Sequence, residues 1–257
     1  MSGTGELHTP TQQCIFIKKD GKTTQPPATI PYNENSTRAS SKKHRVYVLR
    51  DFLHNTYSSI LVPNSSTILD VAGGRGDLSW ILQNIDGCNS IIADPRIPNH
   101  RRLVKSVNFL LCHPEEAKIR AVEGLPTSQP LAKLLPRLLE NQGADKDNIH
   151  QLNGISCDNQ CLDSIPSPKY LRMHIDNTLV ETLKRVLVGK EEYEVWDKYW
   201  EEERSRIGSF NNAYYGGTAP RMATQIDDTA NNNNQISNSR LALEVFQSLD
   251  LVVGFHP

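Results

Sequence analysis

Between residues 46 and 60 the apolar positions Val46, Leu49, Phe52, Leu53, Tyr57 and Ile60 repeat at three- and four-residue spacing. That rhythm predicts an amphipathic helix, with Ser40 or Ser41 as its cap. After the turn residues Pro63-Asn64-Ser65-Ser66 the pattern changes. Thr67-Ile68-Leu69-Asp70-Val71 is a short, nearly continuous apolar run, which predicts a buried strand. Ala72-Gly73-Gly74-Arg75-Gly76 follows as a glycine-rich turn. Leu78, Ile81, Leu82 and Ile85 then return to helical spacing, with Asp77 placed as the cap. Ser90-Ile91-Ile92-Ala93-Asp94 is a second short strand, closed by Pro95. Strand, tight turn, helix and strand in this order make a βαβ unit, and a parallel α/β sheet is expected.

The rest of the chain is less regular. Residues 97–123 read as helical and then irregular. Residues 124–168 mix a short amphipathic helix, Leu131 to Leu139, with polar linker. Residues 169–207 carry aromatic and acidic helical patterns, including the stretch around Trp196 and Trp200. The Asn-, Gly- and Ser-rich stretch 208–238 contains four consecutive asparagines and reads as a loop. A last helix, Ser239 to Ser248, leads into the apolar strand Leu249 to Gly254. No internal repeat is present.

Composition changes this picture at two points. Apolar residues make up only 37% of the 257, so part of the chain is expected to stay outside the core. Residues 1–40, rich in Ser, Thr, Pro, Asn and Lys, are the part predicted to be disordered, because they offer too little apolar surface to offset ordering entropy. The formal net charge of −1 argues neither for nor against a nucleic-acid partner. Arg38 to Arg50 is a locally basic stretch that could touch phosphates, or be the solvated face of the first helix. No apolar run reaches the roughly eighteen residues of a membrane span, and the N-terminus lacks the apolar core of a secretory signal. Five cysteines do not form a disulfide framework by spacing. An intracellular setting, cytoplasmic or nuclear, is the expectation.

Candidate chemistry concentrates between Ile68 and Ser79. Asp70 lies near the end of a strand, and Gly74 and Gly76 alternate through the turn that follows. Glycine there tolerates unusual dihedrals and lets a ligand approach the backbone. The turn feeds a helix N-terminus, whose free N–H groups attract anionic groups. Asp94 ends the next strand eighteen positions after Gly76, where a carboxylate can accept hydrogen bonds from both hydroxyls of a ribose. A dinucleotide site is the functional rival, but its Gly-x-Gly-x-x-Gly pattern would place glycine at Ser79 and an apolar residue at Asp70. Cys157 and Cys161, with His150 and His174, are too loosely spaced to predict a zinc site, and no metal is expected.

The stretch Asp70 to Gly76, with Asp94, resembles motif I of the class I, Rossmann-like, S-adenosylmethionine-dependent methyltransferases. Ala72 stands where the first glycine of that pattern usually lies. The resemblance covers roughly residues 42–96 and, more loosely, 239–257. It implies a doubly wound parallel sheet, here partial, with a long mostly helical insertion at about 124–238 in a domain spanning 41–257. It implies S-adenosylmethionine as cofactor, Asp70 facing the amino end of its methionine moiety, and Ala72, Gly73, Gly74 and Gly76 forming a backbone cradle. Asp94 would hold the ribose. His256, in the Gly-Phe-His-Pro ending, is the one candidate for a base or orienting group beside the methyl acceptor. The acceptor itself stays open. By the same resemblance the chain ends at the family's fourth strand, so residues 1–257 alone are expected to turn over weakly or not at all. Three readings follow: a methyltransferase, a degenerate methyltransferase-like protein that binds without catalysis, and a dinucleotide-binding oxidoreductase.

Overall fold

The computed structural model describes residues 44–141, 165–188, 193–214 and 234–254. The expected tail 1–40, the first three residues of the asparagine tract, Cys157, Cys161, His150 and His256 lie outside the described residues. The architecture is α/β with a four-stranded sheet, every neighbouring pair of which is parallel. Strand β1 is Thr67–Val71, β2 Asn89–Ala93, β3 Lys169–Leu171 and β4 Leu251–Gly254. Their order across the sheet is β3-β2-β1-β4.

Strand alternation explains why helices cover both faces. In β1, Leu69 points to one side, with Ile91, Ala93 and Leu171. They pack against α6 (Asn177–Leu183), α7 (Tyr193–Tyr214) and α8 (Ser239–Ser248). Ile68, with Leu251 and Val253, points to the other side, toward Leu53 of α1 (Arg45–Tyr57) and Leu78 and Leu82 of α2 (Asp77–Asn84). On that side a second cluster joins α1 and α2 to α3 (Arg101–Cys112), α4 (Pro114–Ala121) and α5 (Pro130–Asn141). The result is three layers, helix on sheet on helix.

Several expectations are corrected. The stretch 169–207, expected to carry helical patterns and no strand, begins with β3. That strand pairs Ile92 with Tyr170 and Ala93 with Leu171. Three residues, Lys-Tyr-Leu, are too short to show a period, and pairing to β2, with a bridge from Tyr170 to Gln235, makes them a strand. Part of 124–238 is therefore built into the sheet. The helical pattern around Trp196 and Trp200, by contrast, holds: both side chains are buried in the core against α8, with Trp196 Nε1 donating to the Ser239 carbonyl at 2.6 Å. The irregular half of 97–123 contains α4, started by Pro114, whose missing N–H costs nothing at a first helical turn.

The face of α1 is also rotated from its apolar pattern. Phe52 is 45% exposed, whereas Arg50 is buried. Arg50 Nε and Nη2 donate to Asp86 Oδ2 and Oδ1 at 2.8 and 2.5 Å, and the helix turns to satisfy that pair. Arg50 is thus not part of a solvated basic face. Asp77 is not the α2 cap but its first residue. The cap position is Gly76, at φ 76°. Among the described residues no helix is long and apolar enough to cross a membrane.

Candidate functional site

Along the chain the strands run outward from β1 to β2 to β3, and β4 then returns to the far side of β1. In an open parallel sheet such a reversal leaves a crevice at the carboxyl ends of the two strands that flank it. The turn Ala72 to Gly76 stands at that end, directly after β1.

The turn is built by its dihedrals. Ala72, Gly74 and Gly76 have φ of 55°, 58° and 76°, the left-handed region. Ala72 holds this conformation at a cost of about 1 kcal/mol or more, fixed by its N–H donating to the Ala93 carbonyl at 2.8 Å. Gly76 N donates to Gly73 O at 2.9 Å and closes the turn. A side chain at Gly76 would run into Ile92 Cδ1, so glycine is also what lets α2 begin against β2.

Asp70 lies beneath this turn, 2% exposed. Its Oδ2 accepts a hydrogen bond from Ser79 Oγ at 3.0 Å. Burial pushes its pKa up to about 7, against the lowering effect of the Ser79 hydrogen bonds, and the Asp94 charge adds a small upward push. Burial thus favours its protonated form well beyond what an exposed aspartate shows. A cationic group brought to it would restore the charge.

Asp94 is differently placed. Its Oδ1 accepts from the backbone N of Arg96 at 2.8 Å and from Arg96 Nε at 2.9 Å. Its Oδ2 accepts from Gly74 N at 2.9 Å and Arg96 Nη2 at 3.0 Å. Burial works to raise its pKa, but these bonds from Arg96 and Gly74 outweigh it and hold the carboxyl below the usual range. A carboxylate offers about four acceptor sites, and here all four are filled. Asp94 thereby ties the end of β2 to the glycine turn. A ribose could use Asp94 only by displacing the Arg96 guanidinium, whose side chain is 44% exposed and can swing out.

The structure thus brings Asp70, Ala72, Gly73, Gly74, Gly76 and Asp94 together at the carboxyl ends of the adjacent strands β1 and β2. It also places three residues there that the motif does not contain. Ser79 orients Asp70, and Arg96 occupies Asp94. His100 sits before α3 with Nε2 3.1 Å from Ser167 Oγ, its pKa lowered by burial. His174, the loosely spaced histidine beyond the two cysteines, is paired with Glu203: Nδ1 lies 2.8 Å from Oε1. Among the described residues no group of three or more His, Cys, Asp or Glu is placed to hold a metal.

Comparison with known proteins adds no relative: no protein-family model, no curated protein and no solved structure matches this chain.

Proposed function

We propose that the turn between β1 and α2 holds S-adenosylmethionine and that the chain belongs to the methyltransferases. The observation that carries this reading is the buried Asp70 carboxyl. It lies under a glycine turn with three positive φ angles, at the reversal point of a parallel sheet. A dinucleotide pyrophosphate is a poor partner for that carboxyl, and the ammonium of a methionine moiety is a good one. In this reading Asp70 binds the ammonium, while Gly73, Gly74 and Gly76 let the ligand meet the backbone. Asp94 binds the ribose hydroxyls once Arg96 has moved aside. The group so held supplies an electrophilic methyl on sulfur. The chain's part is to align it with an acceptor and exclude water. His256, two positions beyond β4, is the proposed orienting group at the acceptor.

A second reading has its own support. The saturation of Asp94 by Arg96 and Gly74 suits a methyltransferase-like fold that binds a partner without turnover. Calorimetric titration of the folded chain with S-adenosylmethionine and, separately, NAD is the test. Micromolar binding of the sulfonium ligand alone, weakened in Asp70→Ala, is expected. Binding of NAD alone would overturn the cofactor assignment, and binding of neither would favour the second reading.

A further inference from the structure

Helix α3 leaves the rim of the glycine turn. Arg75 Nε donates to the Asn99 carbonyl at 3.2 Å, Asn99 N donates to Arg75 O at 3.0 Å, and Arg101 N donates to Asn99 Oδ1 at 3.2 Å. The turn and the start of α3 are therefore one hydrogen-bonded unit. The sequence of α3, RRLVKSVNFLLC, contains no acidic residue. Leu103, Val107 and Leu110 are its buried stripe. A flanking stripe, Arg102, Lys105, Ser106 and Phe109, is exposed and has the i, i+3, i+4, i+7 spacing of one helix face. Among the described residues no acidic side chain lies within ion-pair distance of Arg101, Arg102 or Lys105. Arg102 lies near enough to Asp77 at the rim for its charge to lower that carboxyl's pKa.

The stripe ends on an aromatic ledge. Phe109 is 40% exposed on what would otherwise be a polar face. The His113 ring stacks on it at 4.4 Å between centroids, held by Nδ1 donating to the Phe109 carbonyl at 2.8 Å, and is itself exposed. The Arg120 guanidinium lies 4.9 Å from the same phenyl centroid. Lys105, Ser106, Phe109, Arg120 and Gln129 together line a shallow groove. A chain with net charge −1 thus concentrates unpaired cations along one helix about 18 Å long, which joins the glycine turn to a stacked ring.

We propose that the α3–α4 face binds single-stranded nucleic acid. Arg101, Arg102 and Lys105 take successive phosphates, and a base stacks on the His113–Phe109 ledge. Unpaired cations in line with an exposed ring are what an unstacked strand needs: phosphate neutralisation along the backbone and a flat surface for a base. Because the track starts at the glycine turn, it also names a nucleic acid as the class of methyl acceptor. That last step rests on the proposed function, whereas the binding does not.

The test is fluorescence anisotropy with a labelled single-stranded RNA of about 12 nucleotides, titrated with the full chain at several salt concentrations. The matching DNA strand, the RNA duplex and vesicles of anionic lipid serve as parallel probes. The single strands are expected to bind and the vesicles not, with RNA set against DNA deciding which strand is preferred. Arg102→Glu/Lys105→Glu should weaken binding at least tenfold. It should also reduce the log–log salt slope by about 1.4, because each of two phosphates left without its cation accounts for about 0.7. His113→Ala should weaken binding about tenfold through the missing stack while leaving the salt slope unchanged. All these side chains are exposed, and circular dichroism of each variant checks the fold. Binding of vesicles in place of the strands, or unchanged affinity in both variants, would overturn the proposal. Sulfonium binding, read separately by calorimetry, should be the same in these variants as in the unaltered chain. Its absence would sink the cofactor assignment and leave the nucleic-acid surface standing.

Discussion

Asp70 and Gly73 are in direct contact: a methyl group built on Gly73 would lie 2.7 Å from Oδ2 of Asp70 and 2.8 Å from its carboxyl carbon. Gly73 has no positive φ, so its role is close approach rather than turn geometry. The carboxyl cannot step aside, because Ser79 holds it and the core surrounds it. Gly73→Ala should therefore destabilise the protein by about 1–3 kcal/mol, as other overpacked sites do. Urea denaturation would read this as a lower midpoint with an unchanged slope. An unaltered midpoint would mean that the turn relaxes, and that the contact does not fix the cradle.

The raised pKa of Asp70 makes a pH prediction of definite sign. Unfolded, the carboxyl ionises near 4. Folded, it does so at about 7. Between those values the native state binds the extra proton, so stability falls as pH rises through the window and levels off above it. Three pH units correspond to about 4 kcal/mol at most. Asp70→Asn should flatten that decline and make the protein more stable than the unaltered chain at pH 8, as measured by thermal unfolding across pH 4–8. A cationic ligand at Asp70 should also expel its proton on binding. The calorimetric heat near pH 7 would then depend on the ionisation enthalpy of the buffer.

Arg96 stands on Asp94 where the proposed ribose would be held. Arg96→Ala should raise the affinity for S-adenosylmethionine several-fold, because the ligand no longer has to displace the guanidinium hydrogen bonds of a side chain 44% exposed to solvent, a pair worth about 1 kcal/mol or less. Asp94→Ala should lower it. If Arg96→Ala instead weakens binding, the guanidinium contacts the ligand, and Asp94 acts through Arg96.

The βαβ unit is legible in the sequence because its pieces have clear periods: five-residue apolar strands, a glycine turn between them, and a helix with apolar residues at i, i+3, i+4 and i+7. The same holds for β4. Strand β3 is not legible, since Tyr170 and Leu171 owe their burial to distant partners, β2, the 234–236 segment and the helices packed on Leu171, and three residues carry no rhythm. Asp70 and Asp94 stand out by position alone. What each carboxylate touches does not, because Ser79 and Arg96 act through side-chain bonds that leave no periodic trace. Arg96 does leave a local signal, since an aspartate two residues before an arginine in a proline turn can accept from both its backbone and its side chain. Arg50 misleads in the opposite direction: a charged residue in an amphipathic helix is assigned to solvent, yet here it is the buried partner of Asp86.

That partnership makes a separable stability prediction. Asp86, almost fully buried, faces Arg50, His54 Nε2 at 3.1 Å and Arg137 Nη1 at 3.6 Å. Burial acts to raise its pKa, but His54 and Arg50 overcome this and hold it below the usual carboxylate range. Its contribution is therefore fully present above about pH 4 and is lost as pH falls through the lowered folded value, the opposite sense to Asp70. Removing Asp86 leaves the buried Arg50 guanidinium only the exposed Asp51 carboxylate, 3.1 Å away. Asp86→Ala should cost about 3–5 kcal/mol by denaturant unfolding at pH 7, and the double variant Arg50→Met/Asp86→Leu much less. Equal losses in the single and double variants would show that Arg50 was held by packing alone. Because the pair fixes α1 against the far end of α2, away from the glycine turn, the surviving fold of the double variant should bind S-adenosylmethionine as the unaltered chain does.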